Sequence, residues 1–259
     1  MSFSDEEVER YARHLVLREI GGQGQQKLKA ARILIVGAGG LGAPAALYLA
    51  AAGVGRIALA DPDHVSLSNL QRQVIYGTQD LAAMKVDAAA ARLASINPNT
   101  AVDAVSLTVT AQNARELVAA YDIVLDGTDD FATRLAIADA CVAERRTLVS
   151  GAIGRWTGQV AVFQGRPCYR CLVPEAPPDA ETCAAVGVIG ALAGIIGSMM
   201  ALEAIKLVTG AGEALVGRLL ILDALAAESR TVRIGADPEC LVCGSRGGAA
   251  RFRPQANGL

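Results

Sequence analysis

Two rhythms of apolar residues alternate along the first 150 positions, and together they predict repeated strand–helix units: short continuous runs, and stripes at helical spacing. Ile33-Leu34-Ile35-Val36 is a run of the kind a strand buried on both faces shows. It breaks into Gly37-Ala38-Gly39-Gly40-Leu41-Gly42, and a helical stretch over 43–52 follows, with Pro44 in the first turn, where a missing N–H costs nothing. Gly53 ends that helix, and a second strand over 57–60 runs into Asp61. Residues 85–96 place Val86, Ala89, Leu93 and Ile96 on one helical face, and Asn97-Pro98-Asn99 stops them. A strand at 101–107, a short helix at 113–119, a buried-type strand at 122–125, a helix at 131–145 and a strand at 147–150 complete the series. Strands alternating with helices imply an α/β, Rossmann-like, mostly parallel sheet with right-handed crossovers and helices on both faces.

The two ends follow other patterns. Residues 5–20 set Val8, Tyr11, Leu15 and Val16 on one helical face, away from Arg10, Arg13, His14 and Arg18, and a short helix over 23–31 leads to the first strand. From Gly151 onward the order becomes a strand at 159–163, a cysteine knuckle, a Pro-rich loop at 174–178, a long apolar helix, and strands at 218–222 and 229–234. The expected division is a helical arm at 1–30, one domain at 31–245 with an antiparallel and metal-bound C-terminal extension, and a Gly- and Arg-rich, disordered tail at 246–259.

Composition narrows the class. At 259 residues and 52% hydrophobic content the chain can bury a full core. A net charge of -2 and a pI near 5.8 offer no electrostatic footprint for nucleic acid or an anionic membrane. The first ten residues are acidic and polar where an export signal would be basic and then apolar, so the protein is expected in the cytoplasm. The stretch 184–202 lacks charge and approaches bilayer-spanning length, but it is rich in Ala and Gly (Gly187, Gly190, Gly194, Gly197), and Glu203 and Lys206 continue its helical pattern. A buried helix is the expectation, with small residues letting another helix or a symmetry mate approach closely.

Strand, glycine turn and helix in succession suit an anion. The glycines allow a tight turn and close backbone approach to a phosphate, and the helix start aims unpaired N–H groups at it. Asp61 follows by about 20 residues, where an acid reaches the ribose hydroxyls of a bound nucleotide. A turn that merely packs helix on strand is the other reading, and an NAD-dependent oxidoreductase is the obvious functional one. Yet after Asp61 comes Pro62-Asp63-His64 and the polar run Ser66-Leu67-Ser68-Asn69-Leu70-Gln71-Arg72-Gln73, a loop of the kind that carries function. Asp126, Asp129 and Asp130 end a strand on the edge where open α/β sheets bind ligands. Neither His14 nor His64 has a Ser or Asp partner that the sequence can place, and no P-loop lysine motif is present.

Cys168-x-x-Cys171 and Cys240-x-x-Cys243 are knuckles of the kind that wrap a tetrahedral zinc ion. Four thiolates leave no open position for substrate, so such a metal would tie the C-terminal segment to the sheet. Cys141, on an apolar helical face, reads as core. Cys183 stands just before a helix whose dipole would favour a thiolate; an inert thiol in a loop is the alternative.

The glycine turn, Asp61-x-Asp63, the run from Ser68 to Gln73, Lys85, Thr128-Asp129 and the two cysteine pairs, in that order, resemble the ThiF/MoeB/HesA family, bacterial relatives of the ubiquitin-activating enzymes. The resemblance spans about 4–244. It implies ATP-dependent adenylation of the C-terminal glycine of a small β-grasp sulfur-carrier protein ending in Gly-Gly, within a homodimer that uses ATP, Mg²⁺ and Zn²⁺. By that resemblance Gly37, Gly39, Gly40 and Gly42 cradle ATP, Asp61 takes the ribose, Arg72 and Lys85 contact the phosphates, and Asn69 and Gln73 complete the pocket. Asp63, Ser68, Leu70, Gln71 and Asp130 fall within the same ATP-binding motifs. Asp129 holds Mg²⁺, Arg13 reaches in from the opposite subunit, and Cys183 matches the position where some relatives link covalently to the carrier. The polar run and the absence of a C-terminal rhodanese domain resemble the MoeB branch, which implies the small subunit of molybdopterin synthase as carrier; the thiamin-pathway carrier is the alternative.

Overall fold

A computed structural model describes residues 3–177 and 187–244 of the chain. The end of the Pro-rich loop, Cys183 and the tail at 246–259 lie outside the described residues. One eight-stranded sheet has the order β3-β2-β1-β4-β5-β6-β7-β8. Its strands are β1 (Arg32–Val36), β2 (Arg56–Ala60), β3 (Ala101–Val105), β4 (Ile123–Asp126), β5 (Thr147–Gly154), β6 (Thr157–Phe163), β7 (Arg218–Asp223) and β8 (Glu228–Arg233). β3 to β5 in this order are parallel, whereas β6, β7 and β8 join antiparallel.

Alternation along the parallel strands divides the core in two. Ile33, Ile35, Ile57 and Leu59 pack toward α3 (Gly21–Ala30), α4 (Gly42–Ala51), α5 (Lys85–Ile96) and α9 (Gly190–Thr209). Leu34, Val36, Ala58 and Val124 pack on the other face, toward α6 (Ala114–Ala119) and α7 (Phe131–Ala143), where Cys141 is buried and burial pushes its thiol pKa up. Each residue pair of a strand thus feeds two layers, as a sheet covered on both faces requires.

The N-terminal arm departs from expectation. It is not one helix: α1 (Asp5–Arg10) and α2 (Ala12–Leu15) break at Tyr11, and of the four apolar residues Val8 and Val16 are exposed. Tyr11 alone is deeply buried, lying against Gly53 with its hydroxyl accepting from Asn97 Nδ2 at 2.8 Å. One anchored ring sets the arm's path, so local periodicity misstates it. β5 also continues to Gly154, past the expected end at 150, because Gly151 to Gly154 pair with β6.

Long and apolar α9 is a core helix. Leu192, Ala193, Ile196, Met200, Ala201 and Ala204 are buried, whereas Ile195 and Leu202 are exposed. Gly197 lets it approach α4 closely, since a Cβ there would stand 2.4 Å from the Leu41 carbonyl oxygen. Gly42 has the same role in the glycine turn: its Cβ would lie 1.8 Å from the Gly37 oxygen, so this glycine is required by packing.

Candidate active site

Parallel register decides where the chemistry gathers. Val36 stands opposite both Ala60 and Asp126, so Gly37, Asp61 and Gly127 leave the sheet side by side at its C-terminal edge. Strand order reverses between β1 and β4, and a doubly wound sheet opens its crevice at such a point. A cavity of about 760 Å³ lies there.

Its floor is the glycine turn. Gly37 has φ +89°, a conformation glycine adopts without strain, and Gly39 and Gly40 face the cavity. Asp61, buried, accepts from the Ala38 N–H at 2.8 Å and from the Asp63 N–H at 2.9 Å, tying the turn to the loop after β2. Tyr76, which the sequence reading missed, donates its hydroxyl to the Ala38 carbonyl at 2.8 Å, and burial raises its pKa. Lys85, the buried first residue of α5, donates to Asp63 Oδ2 at 2.8 Å and lies 3.8 Å from Asp61.

The polar run divides. Asn69, Arg72 and Gln73 line the cavity; Ser68 is exposed, Leu70 packs against the core, and Gln71 faces out. The side chains of Ser68, Leu70 and Gln71 are therefore not in the cavity wall, and neither is Gly42. The cause is a succession of tight turns, in which the Leu70 N–H bonds the Leu67 carbonyl and the Arg72 and Gln73 N–H groups bond the Asn69 carbonyl, so that residues three and four apart share a side. Arg72 Nη1 donates to the Ser68 carbonyl at 3.1 Å. Gln73 is buried, and its Oε1 has no hydrogen-bond partner among the described residues. Leaving a buried acceptor unpaired costs about 1–3 kcal/mol, which suits an acceptor meant for a ligand donor.

Beyond β4, Asp126 is buried and accepts from the Thr128 N–H at 3.1 Å, the Thr128 hydroxyl at 2.7 Å and the Ser150 hydroxyl at 3.2 Å. Asp129 and Asp130 line the cavity and are exposed. The Asp130 carboxylate is already engaged as the cap of α7, accepting from the Thr133 N–H at 2.8 Å. Two further lining residues, Arg134 and Tyr169, escaped the sequence reading. A single arginine inside the apolar stripe of α7 was the available signal for the first. Arg13 is exposed on α2 and does not line the cavity, and Cys183 lies outside the described residues.

The four paired cysteines converge behind this wall. Cys168 is the N-cap of α8 (Tyr169–Leu172) and Cys171 lies within it, and all four sulfurs lie within 4.8 Å of one another. Zn–S bonds of about 2.3 Å in a tetrahedron put sulfurs about 3.8 Å apart. Cys168 and Cys240 are separated by 3.7 Å, Cys171 and Cys243 by 3.4 Å, so the donor set fits such an ion. Burial opposes charge at Cys240, but hydrogen bonds from the Cys243 and Val242 backbone and the Cys168 thiol outweigh it and bring the thiol down to about 7. Burial and the neighbouring thiols push Cys168 up instead.

Comparison with known proteins adds the chemistry. The ThiF family model matches residues 11–242. A sulfur carrier protein adenylyltransferase of Thermus thermophilus is 44% identical over 253 residues, covering 94% of this chain and 93% of that protein. The SAMP-activating enzyme E1 of Haloferax volcanii is 44% identical, with 95% and 93% covered. MoeZ of Mycobacterium tuberculosis, a probable adenylyltransferase/sulfurtransferase, is 48% identical, and the chain spans 62% of its length. The solved structure of Escherichia coli MccB shares the fold at a TM-score of 0.82 and 21% identity, with 98% of this chain and 76% of that one covered. With the family match running over most of its length, and relatives 44% identical across nearly all of it, the chain belongs to the ThiF family and is an adenylyltransferase.

Proposed function

We propose that this adenylyltransferase activates the C-terminal glycine of a small β-grasp sulfur-carrier protein ending in Gly-Gly, and that the carrier is the small subunit of molybdopterin synthase, in the cytoplasm. The observation that supports it most is the gathering of the glycine turn, Arg72, Lys85 and Asp129 around one cavity, in a chain whose relative carries the name sulfur carrier protein adenylyltransferase. The nicotinamide reading of the same turn is set aside, since the family is one of adenylyltransferases.

The reaction joins two anions. A carboxylate attacks the α-phosphate of ATP and pyrophosphate departs, so the site must offset repulsion on approach and charge on departure. Arg72 and Lys85 supply positive charge, and the turn at Gly37, Gly39 and Gly40 supplies backbone N–H groups. Asp61 takes the ribose, and Asn69 with the unpaired Oε1 of Gln73 holds nucleotide donors. Asp129 would hold Mg²⁺, which when bound neutralises phosphate charge. The four cysteines would hold a structural Zn²⁺ with no open position for substrate.

The test is exchange of labelled pyrophosphate into ATP. Exchange is expected only with a carrier ending in a free Gly-Gly, and amidating that terminus should abolish it. Comparing the molybdopterin-synthase and thiamin-pathway carriers picks the partner; exchange without any carrier defeats the proposal. Cys183→Ala should leave exchange intact, because any thiol step follows adenylation.

We further propose a homodimer in which Arg13 completes the partner's site, a reading supported by the exposure of Arg13, Ile195 and Leu202. Arg13→Ala and Arg72→Ala chains, each inactive alone, should recover about a quarter of wild-type exchange once subunits are freely mixed, since half of the two-fold dimers are hybrids with one intact site. No recovery despite demonstrated subunit exchange places Arg13 in its own chain's site or outside catalysis.

A further inference from the structure

The two residues between the cysteines of the first knuckle are both engaged by α7. Tyr169 is buried, lines the cavity, and stands edge-on to Phe163 with ring centroids 5.6 Å apart. Burial raises the Tyr169 pKa, and the charge and hydrogen bonding of the Arg134 guanidinium oppose that rise. Arg170 holds Asp139 through two hydrogen bonds, at 3.0 and 2.7 Å. Arg134 and Asp139 belong to α7, so the metal knuckle is clamped to that helix at two points.

Arg134 reaches further. Its Nη2 donates to the carbonyl oxygens of Thr128 and of Gly151, the latter at 2.7 Å, and Nη1 lies 3.8 Å from Asp126. Asp126 in turn holds the N–H and hydroxyl of Thr128. Thr128 is thus gripped by a carboxylate on its N–H and a guanidinium on its carbonyl. That carbonyl belongs to the peptide leading into Asp129, so the peptide plane, and with it the direction in which Asp129 departs, is set by Arg134. A planar fork with several donors can serve Gly151, Thr128 and Asp126 at once, and a lysine ammonium at the end of a flexible stem cannot.

We propose that Arg134 is a positioning residue of the adenylation site: it orients the Thr128–Asp129 peptide so that Asp129 faces the bound nucleotide and its metal, and Tyr169 links that orientation to the cysteine knuckle. The inference rests on the reading of Asp129 as the Mg²⁺ ligand. It treats the cysteine centre as part of what holds the ATP site in shape, beyond fastening the C-terminal segment.

The experiment measures ATP binding to the full-length chain by calorimetry across a Mg²⁺ series, without any carrier, alongside zinc content and melting temperature. Tyr169→Phe removes one oxygen and should retain fold and zinc. Partners behind metal ligands typically change metal affinity about 10–100-fold, so Arg134→Lys is expected to raise the half-saturating Mg²⁺ concentration about tenfold and Tyr169→Phe about threefold. Affinity for ATP at saturating Mg²⁺ should stay near wild type. A lowered melting temperature with wild-type Mg²⁺ dependence in both variants would reduce Arg134 to a structural residue and overturn the proposal. If Arg134→Lys fails to fold, Tyr169→Phe decides alone. Wild-type exchange with carrier is followed separately: its absence defeats the sulfur-carrier reading, while the Mg²⁺ series still decides the role of Arg134.

Discussion

Arg72→Ala should lower carrier-dependent pyrophosphate exchange about a thousandfold, roughly 4 kcal/mol of transition-state stabilisation, while leaving the melting temperature unchanged. The two halves of that expectation have separate causes. Arg72 is only half-buried, and among the described residues its side chain donates to the Ser68 carbonyl in the same loop, so its removal leaves no buried side chain there unpaired. Arg72 borders the cavity beside the glycine turn, where on the proposed reaction charge would build on the phosphates as the carboxylate attacks. Lys85→Ala makes the useful contrast. That lysine is buried against Asp63 and Asp61, so removing it leaves a buried carboxylate without its cation and should damage stability as well as rate. Exchange and thermal melts on both variants separate the two. Exchange within a few fold of wild type in Arg72→Ala would remove this arginine from phosphate binding.

The second large effect concerns the metal. One zinc per chain is expected from metal analysis of protein purified without chelator, and Cys168→Ser combined with Cys240→Ser should aggregate. The sulfurs come from segments 72 residues apart in sequence, and a bound ion would hold the second segment against the first. Structural zinc supplies about 10–16 kcal/mol of apparent binding energy, comparable with the roughly 5–15 kcal/mol that separates a folded domain from its unfolded chain. Absence of zinc, or a fully folded double variant, defeats the assignment. Neither pair is at disulfide distance, since sulfur atoms 3.7 and 3.4 Å apart are far beyond a bond of about 2 Å.

Much of this was legible in the sequence because it is locally encoded. β1, β2 and β4 announce themselves as apolar runs, and once they are parallel neighbours their common register brings Gly37, Asp61 and Gly127 together. The arm was misread because the insertion of Tyr11 beside Gly53 and Asn97 overrides its helical spacing. Arg134 and Tyr169 were missed for a related reason: each is an ordinary residue in its own segment, and they acquire a role only when α7 and α8 meet behind β4. Motif spacing likewise could not separate Asn69, Arg72 and Gln73, which enter the cavity, from Ser68 and Gln71, which turn away.

The overhang of β5 has a geometric result. Thr147 to Ser150 pair with β4, but Ala152 to Gly154 run on past the end of that strand, paired with β6. A parallel sheet by itself binds its ligands at the C-terminal ends of its strands. Here Ala152, Ile153, Phe163 and Leu219 add an apolar flank to the cavity, beside the polar floor of glycine turn and carboxylates. The site has two unlike sides. Condensing two molecules requires each to have its own surface, and the strand where parallel pairing gives way to antiparallel pairing sets two unlike surfaces side by side.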